Sequence, residues 1–327
     1  MDKILRVIDL STSFKTEKGY LKAINGVSFD VSAGEIVGIV GESGCGKSVT
    51  MQSIMQLYDG KGDLVKYTGS IEFEGKDLIA LKESEMRKRR GKDIAMIFQD
   101  SLSALDPVYT IGEQIDESLR LHTKLSAKER KNKAIHLLTL VGINEPEKRL
   151  TQYPHEISGG MRQRIMIAIA LSCDPSLLIA DEPTTALDVT IQAQIIDLLR
   201  SLNDKLKMSV ILITHDMAVV SQLCERVIVM YLGQVAEEAD VNTLFDMPMH
   251  PYTRGLIRSI PSVTGDKPHR LYMIPGTVPL LSQIPKGCRF APRCPFACEK
   301  CRNEMPLLRE VAAGHKVRCW YPQESEK

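Results

Sequence analysis

The run Gly41-Glu-Ser-Gly-Cys-Gly-Lys47-Ser48 fits G-x-x-x-x-G-K-[ST] at every fixed position, and it follows the apolar stretch Glu35-Ile-Val-Gly-Ile-Val40. A strand feeding a glycine-rich turn and then a helix over Val49–Gln56 confines the chain to an α/β fold with a phosphate-binding loop. Successive backbone N–H groups and the positive helix end converge there on one spot, where an anionic triphosphate can sit. Gly41, Ser43, Gly44, Cys45 and Gly46 form the cradle, Lys47 reaches the β and γ phosphates, Ser48 binds Mg²⁺ through its hydroxyl, and Val49 opens the helix.

A single such match can arise by accident in a glycine-rich turn, so its weight depends on partners elsewhere. Leu177-Leu-Ile-Ala-Asp181-Glu182 is an apolar run ending in two carboxylates, the form of a buried parallel strand that delivers acids at its C-terminal edge. Asp181 is then the Mg²⁺ ligand through water and Glu182 the base for a hydrolytic water. Standing alone, an Asp-Glu pair after a strand is more often a solvated loop; the phosphate loop upstream reverses that reading. Between the two lies Ile157-Ser158-Gly159-Gly160-Met161-Arg162-Gln163, followed by a helical run over Arg164–Ser172. Small residues with free N–H groups at a helix start make a second anion site, which suggests that each loop serves a different nucleotide.

The ordered combination of Gly41–Ser48, Gln99, Ser158–Gln163, Asp181-Glu182, Ala186-Leu187-Asp188 and His215 resembles the ATP-binding subunit of an ABC transporter, over a span from about Leu5 to Glu238. The resemblance implies an α/β fold of the ABC-type P-loop ATPase: a RecA-like core with an antiparallel β subdomain, an inserted helical subdomain and a small Cys-rich C-terminal extension. It makes Gln99, after a strand over Asp93–Phe98, the lid glutamine that senses Mg²⁺ and attacking water. Ser158, Gly159, Gly160 and Gln163 match the signature motif that completes a partner subunit's site, Asp188 the D-loop aspartate, and His215 the switch histidine near the γ-phosphate. The catalytic set is thus Lys47, Gln99, Glu182 and His215. Adenine stacking falls to Phe14 by spacing, with Tyr20 as the other candidate.

Composition agrees. The chain of 327 residues has net charge +1 and 5% aromatics, so no basic footprint marks nucleic acid as its main partner. Apolar stretches such as Ile165–Leu171 fall far short of the roughly 20 residues that span a bilayer. The charged start Met1-Asp-Lys runs into a strand-like segment, which gives no expectation of a signal peptide. The expected place is the cytoplasmic face of the cell membrane, as a peripheral subunit.

Residues 1–100 read as short β-rich runs alternating with turns, including the antiparallel strand in Gly69-Ser-Ile-Glu-Phe-Glu-Gly75. Arg87-Lys-Arg-Arg90 reads as a solvated face. From about 101 to 164 the spacing becomes helical, with Ile111, Ile115, Leu119 and then Ala134, Leu137, Leu138, Val141. In the family this inserted subdomain docks on the transmembrane partner near Ser101-Leu-Ser-Ala-Leu-Asp-Pro107, where Ser101 and Asp106 replace the more usual Pro and Asn. The expected domains are an ATPase over 1–245 and an extension over 246–327.

That extension begins with His250-Pro251-Tyr252-Thr253 and carries five of the eight cysteines: Cys288, Cys294, Cys298, Cys301 and Cys319. In a cytosolic chain such clustering argues for metal coordination over disulfides, and thiolates select Zn²⁺ or an iron–sulfur cluster. Cys45, Cys173 and Cys224 read as ordinary small residues in loop, helix and helix. The segment resembles the C-terminal extension of dipeptide and oligopeptide permease ATPases and their nickel-carrying relatives. That pattern, Cys-x5-Cys-x6-Cys and a distant Cys, maps onto Cys288, Cys294, Cys301 and Cys319. It implies a [4Fe–4S] cluster of structural role, with Zn²⁺ the other occupant. Cys298 is either a spare thiol or a replacement for one of the four, since Cys298-x2-Cys301 is itself a knuckle spacing.

The resemblance further implies two ATPs between paired ATPase subunits, the second a related chain or another copy. It implies two transmembrane permease subunits moved by closure of that pair, and an extracellular peptide-binding protein acting indirectly. Nickel or another small solute is the alternative cargo. Non-membrane ABC ATPases are the alternative class, but the chain has no coiled-coil insertion and no second cassette to match them.

Overall fold

The computed structural model describes residues 2–58, 64–99, 104–185, 187–261 and 272–322. Ser101 of the docking segment and Ala186 of the D-loop motif lie outside them. The chain forms two compact units, one of residues 1–4, 32–35 and 80–212, the other of residues 5–31, 36–79 and 213–327. The boundary expected at 245/246 therefore falls inside the second unit, where the extension shares one body with the phosphate loop.

In that second unit, β1 (Lys3–Thr16) and β2 (Gly19–Ser32) are much longer than the short runs expected from sequence. With β4 (Val65–Phe73) and β5 (Lys76–Asp77) they make a four-stranded sheet in the order β2-β1-β4-β5. The antiparallel register runs from Leu5 opposite Phe73 to Phe14 opposite Val65, with a bulge between Ile8 and Ser11. A second layer sets β3 (Ile36–Val40) parallel to β9 (Arg226–Tyr231), Val40 opposite Val229. β9 continues antiparallel into β10 (Gln234–Asp240), then β12 (His315–Val317), then β11 (Arg309–Ala312). β3 is buried at all five residues, as its unbroken apolar run requires.

The first unit pairs β6 (Ile94–Ile97) with β7 (Leu177–Asp181) in parallel, Ile97 opposite Ala180. The helices Ile111–His122 and Ala127–Leu140 bury Ile111, Ile115, Leu119, Ala134, Leu137 and Leu138, the residues that the helical spacing selects. Each starts with a capping box, Thr110 with Glu113 and Ser126 with Glu129, which closes orphan N–H groups at both starts. Arg130 fixes the pair by donating through Nε to Asp116 Oδ1 at 2.6 Å. The basic run at 87–90 ends the helix Glu83–Arg89, where positive charge favours the negative helix end. β8 (Ser209–Thr214) is wholly buried. Among the described residues no helix is long and apolar enough to cross a membrane.

Two of the cysteines expected in helices sit just outside them. Cys173 lies in the turn after the helix Gly159–Ala170, and Cys224 caps the C-terminal end of Met217–Leu223.

Candidate nucleotide site

The phosphate loop leaves the buried end of β3 and turns on glycines. Gly41 takes φ +153°, and a Cβ there would meet the Met230 carbonyl oxygen at 2.3 Å. Gly46 caps the helix Lys47–Ile54 in the left-handed region, at φ 94°. No other residue accepts both the backbone conformation and the close approach at Gly41. Lys47 is only 5% exposed, and its Nζ donates to the carbonyl oxygens of Gly41 at 2.7 Å and Glu42 at 3.1 Å. The ammonium thus lies within the cradle, while Ser43 and Gly44 stand exposed at its rim. Cys45 is fully buried, its thiol pushed up by burial, so it contributes backbone and packing. Ser48 and Val49 are half-buried at the helix start.

The same unit carries three further predicted positions. Phe14 is half-buried and meets Tyr58 edge-on, with ring centroids 4.8 Å apart, whereas Tyr20 is exposed beneath the Lys66 ammonium at 4.0 Å. His215 follows β8 and is exposed; Asp216 beside it caps the helix Met217–Leu223 by accepting from Ala218 N–H at 2.8 Å.

In the other unit, Asp181 ends β7 and is 3% exposed. Glu182 leaves the strand in the left-handed region, at φ 47°. Gln99, just past β6, donates through Nε2 to Glu182 Oε2 at 3.0 Å, and Thr185 Oγ1 donates to the same oxygen at 2.9 Å. The parallel pairing of β6 with β7 is what sets Gln99 beside Glu182, 83 residues away in sequence. Ser158 caps the helix Gly159–Ala170, its Oγ accepting from Met161 N–H at 3.4 Å. A side chain at Gly159 would meet nothing within 4 Å, so that helix start is open, whereas one at Gly160 would meet Ile191 at 3.0 Å. Gln163 is buried, and its Nε2 has no hydrogen-bond partner among the described residues. Asp188 is exposed and caps the helix Val189–Leu206, accepting from Ile191 N–H at 2.9 Å.

Comparison with known proteins decides the family. Residues 24–185 match the ABC transporter family and residues 236–301 the oligopeptide/dipeptide transporter C-terminal region. The chain is 50% identical to the oligopeptide transport ATP-binding protein AppD of Bacillus subtilis, over 99% of this chain and 98% of that one. It is 48% identical to the dipeptide transport ATP-binding protein DppD of Escherichia coli, over 98% and 97%. The chain belongs to the ATP-binding subunits of peptide ABC transporters. A solved structure of the ATP-binding cassette MJ0796, a dimer in a post-hydrolysis state with ADP and Pi, shares the fold at a TM-score of 0.64 and 29% identity. It covers 72% of this chain and 98% of its own, so the chain is an ABC ATPase of mixed α/β sheets.

In this peptide-transporter ATPase the cysteines of the extension gather loosely. Cys288, Cys294, Cys301 and Cys319 line one cavity together with Phe290, Phe296 and Trp320. Cys298 lies beside it, its Sγ 3.5 Å from that of Cys301. Burial pushes the thiols of Cys294 and Cys319 up to about 11, with neighbouring thiols adding to it. Among the described residues no group of three or more His, Cys, Asp or Glu is already arranged to hold a metal ion. The cysteines thus share a cavity without forming a finished ligand set.

Residues not singled out by the sequence also shape the site. Thr185 shares the Glu182 oxygen, and its signal was a hydroxyl three residues past the acid. Glu42, an unspecified position of the loop pattern, is gripped by Arg293 from the extension, with Nη1 2.6 Å from Oε2 and Nη2 2.9 Å from Oε1. No local pattern connects positions 251 residues apart.

Proposed function

We propose that this chain is the ATP-hydrolysing subunit that powers import of di- and oligopeptides across the cytoplasmic membrane, working from its inner face. The phosphate loop carries the reading: a glycine-built turn, a buried lysine and a helix start, in a chain alike over nearly its whole length to AppD and DppD. Lys47 gives up its loop carbonyls for the β and γ phosphates, and the N–H groups of residues 43–48 hold the phosphate oxygens. Glu182 takes the proton of the attacking water, and Gln99, bonded to it, orients that water. His215 steadies the γ-phosphate, and Phe14 stacks on adenine, with Tyr20 the other candidate.

Ser48 and Asp181 offer hard oxygen ligands of the kind Mg²⁺ takes, and Gln99 a third. Mg²⁺ bound with ATP neutralises charge on the phosphates. Ser158, Gly159, Gly160 and Gln163, with Asp188, serve the nucleotide of a paired ATPase subunit; the open helix start at Gly159 supports this, while the burial of Gln163 assigns it a supporting part. The pair, this chain with a related ATPase, closes on ATP and moves two transmembrane permease subunits, while an extracellular binding protein supplies the peptide.

Residues 246–327 form the peptide-permease extension. Its soft thiols are donors of the class that a [4Fe–4S] cluster takes, and Cys288, Cys294, Cys301 and Cys319 border one cavity walled by Phe290, Phe296 and Trp320, although they would have to draw together to ligate it. Their burial disfavours free thiolates, and bound metal would relieve that cost. The cluster would tie the extension together, with Zn²⁺ the other occupant and Cys298 the reserve ligand.

Replacing Glu182 by Gln tests the catalytic assignment: ATP binding persists and turnover falls by roughly 100-fold or more. A variant that hydrolyses ATP normally refutes it. Iron, acid-labile sulfide and zinc, assayed on chain purified without oxygen, test the extension. About four irons with matching sulfide support the cluster; one zinc replaces it with a zinc site, and no metal removes both.

A further inference from the structure

The phosphate loop is held from outside by side chains of the extension. Arg293 is 3% exposed at its side chain, and its guanidinium forks onto the Glu42 carboxylate. The guanidinium is anchored further: Nε donates to Pro275 O at 2.9 Å, Nη1 also to Tyr231 OH of β9 and Nη2 also to Ile274 O, both at 3.4 Å. On the same residue, Glu42 N–H donates to Tyr252 OH at 2.8 Å, and that hydroxyl lies 3.8 Å from Cys45 Sγ. Tyr252 is fully buried among Tyr231 and Phe290, with ring centroids 4.7 and 5.3 Å away. Its hydroxyl therefore has a fixed position from which to accept.

A second arm reaches the loop's far side. Arg289 donates to the carbonyl of Leu232, and the next residue, Gly233, donates its N–H to Cys45 O at 2.8 Å. Arg289 directly follows Cys288, and Arg293 directly precedes Cys294. Both arginines are thus rooted in the cysteine-bearing segment: Arg293 ends on Glu42 itself, and Arg289 on Leu232, whose neighbour Gly233 bonds the cradle at Cys45. A charge-assisted fork is among the stronger and more directional contacts a protein can make, and here its arginine is withdrawn from water.

We propose that Arg293 and Tyr252 are positioning residues for ATP, and that the cysteine-bearing segment braces the phosphate loop in its anion-binding form. The inference rests on the loop's being the ATP site. With Glu42 unheld, the loop samples other backbone arrangements and the bound form must be selected from them. ATP affinity then falls while the chemistry of bound ATP does not change.

The experiment uses the full-length chain and measures ATP Kd by equilibrium binding, KM and kcat by hydrolysis, and melting temperature. Arg293→Ala raises Kd and KM about tenfold, with kcat altered less than about twofold. Arg293→Lys, which keeps the charge and loses the fork, recovers part of that affinity. The pair Glu42→Gln with Arg293→Ala binds no worse than the worse single variant, because both remove one contact. Tyr252→Phe deletes only the hydroxyl, and it raises Kd several-fold with the melting temperature nearly unchanged; it keeps the test open should Arg293→Ala not fold. ATP affinity within twofold of the unaltered chain in both Arg293→Ala and Tyr252→Phe overturns the brace, as does a fall in kcat at constant affinity. Failure of the unaltered chain to bind ATP overturns the nucleotide site itself and the brace with it.

Discussion

The phosphate loop at 41–46 and the cysteine-bearing segment at 288–301 are both irregular in backbone, yet they are held by different means. The phosphate loop takes its shape from within and is braced from outside at Glu42: glycines take the positive-φ positions, Lys47 bonds two of its carbonyls, and a helix begins where it ends. The cysteine segment has short turns of its own, at Ala291–Arg293 and Glu299–Asn303, and a backbone bond from Cys288 N–H to Cys301 O, while its arginines reach away from it to distant elements. A loop fixed by its own backbone can be written as a short local pattern. A segment fixed by distant side chains, and by whatever its thiols bind, cannot.

The largest expected effect comes from the backbone-built loop. Gly41→Ala forces a Cβ to within 2.3 Å of the Met230 carbonyl, so the turn must open, and ATP binding should fall by about 100-fold or more. Gly44→Ala is the matched control. It has φ +81° but nothing within 4 Å of a Cβ, so only the conformational penalty of about 1–2 kcal/mol applies. Equal losses in the two variants, measured by nucleotide titration, would show that the close approach at Gly41 has no part in shaping the loop.

Cys294→Ser acts on the other segment and should read out first in stability. Losing one of four thiols that border the cavity lowers the melting temperature of the full chain by at least about 5 °C, more than it alters ATP affinity. Cys298→Ser, at the margin of the cavity, should leave melting within about 1 °C. The reverse ranking would exchange Cys298 for Cys294 in the ligand set.

What the sequence made legible follows the same division. Strand β3, its loop and the helix after it were readable because period, glycines and Lys47 are contiguous. Asp181-Glu182 was readable as an acid pair closing an apolar run, and the buried stripe Ile111, Ile115, Leu119 through its spacing. The length of β1 was not, because a bulge after Ile8 interrupts the alternation that marks a strand. Nor was the placement of the extension in one unit with the phosphate loop, since the Arg293–Glu42 contact spans 251 residues. The burial of Gln163 in the first turns of the helix Gly159–Ala170 was not legible either, because the motif names the residue without stating its exposure.

The smallest expected effect probes the ground between the two segments. His250 sits at the start of the helix Pro251–Arg258, where its Nδ1 accepts from Tyr252 N–H at 3.0 Å and so helps place the tyrosine under Glu42. Complete burial lowers its pKa to about 4, against the opposing pull of the Glu237 carboxylate. The folded chain therefore keeps this imidazole neutral while the unfolded chain, near 6.5, takes up the proton first. Stability from this group is complete above about pH 7 and is lost as pH falls from about 6.5 towards 4, at a slope of at most about 1.4 kcal/mol per pH unit. Denaturant unfolding at several pH values measures it, and the difference from His250→Asn isolates it, since asparagine can still accept at the helix start but does not titrate. An unchanged slope in His250→Asn would move the titration to other groups. A slope lost together with weaker ATP binding below pH 6 would extend the external hold on the phosphate loop to His250, acting through Tyr252.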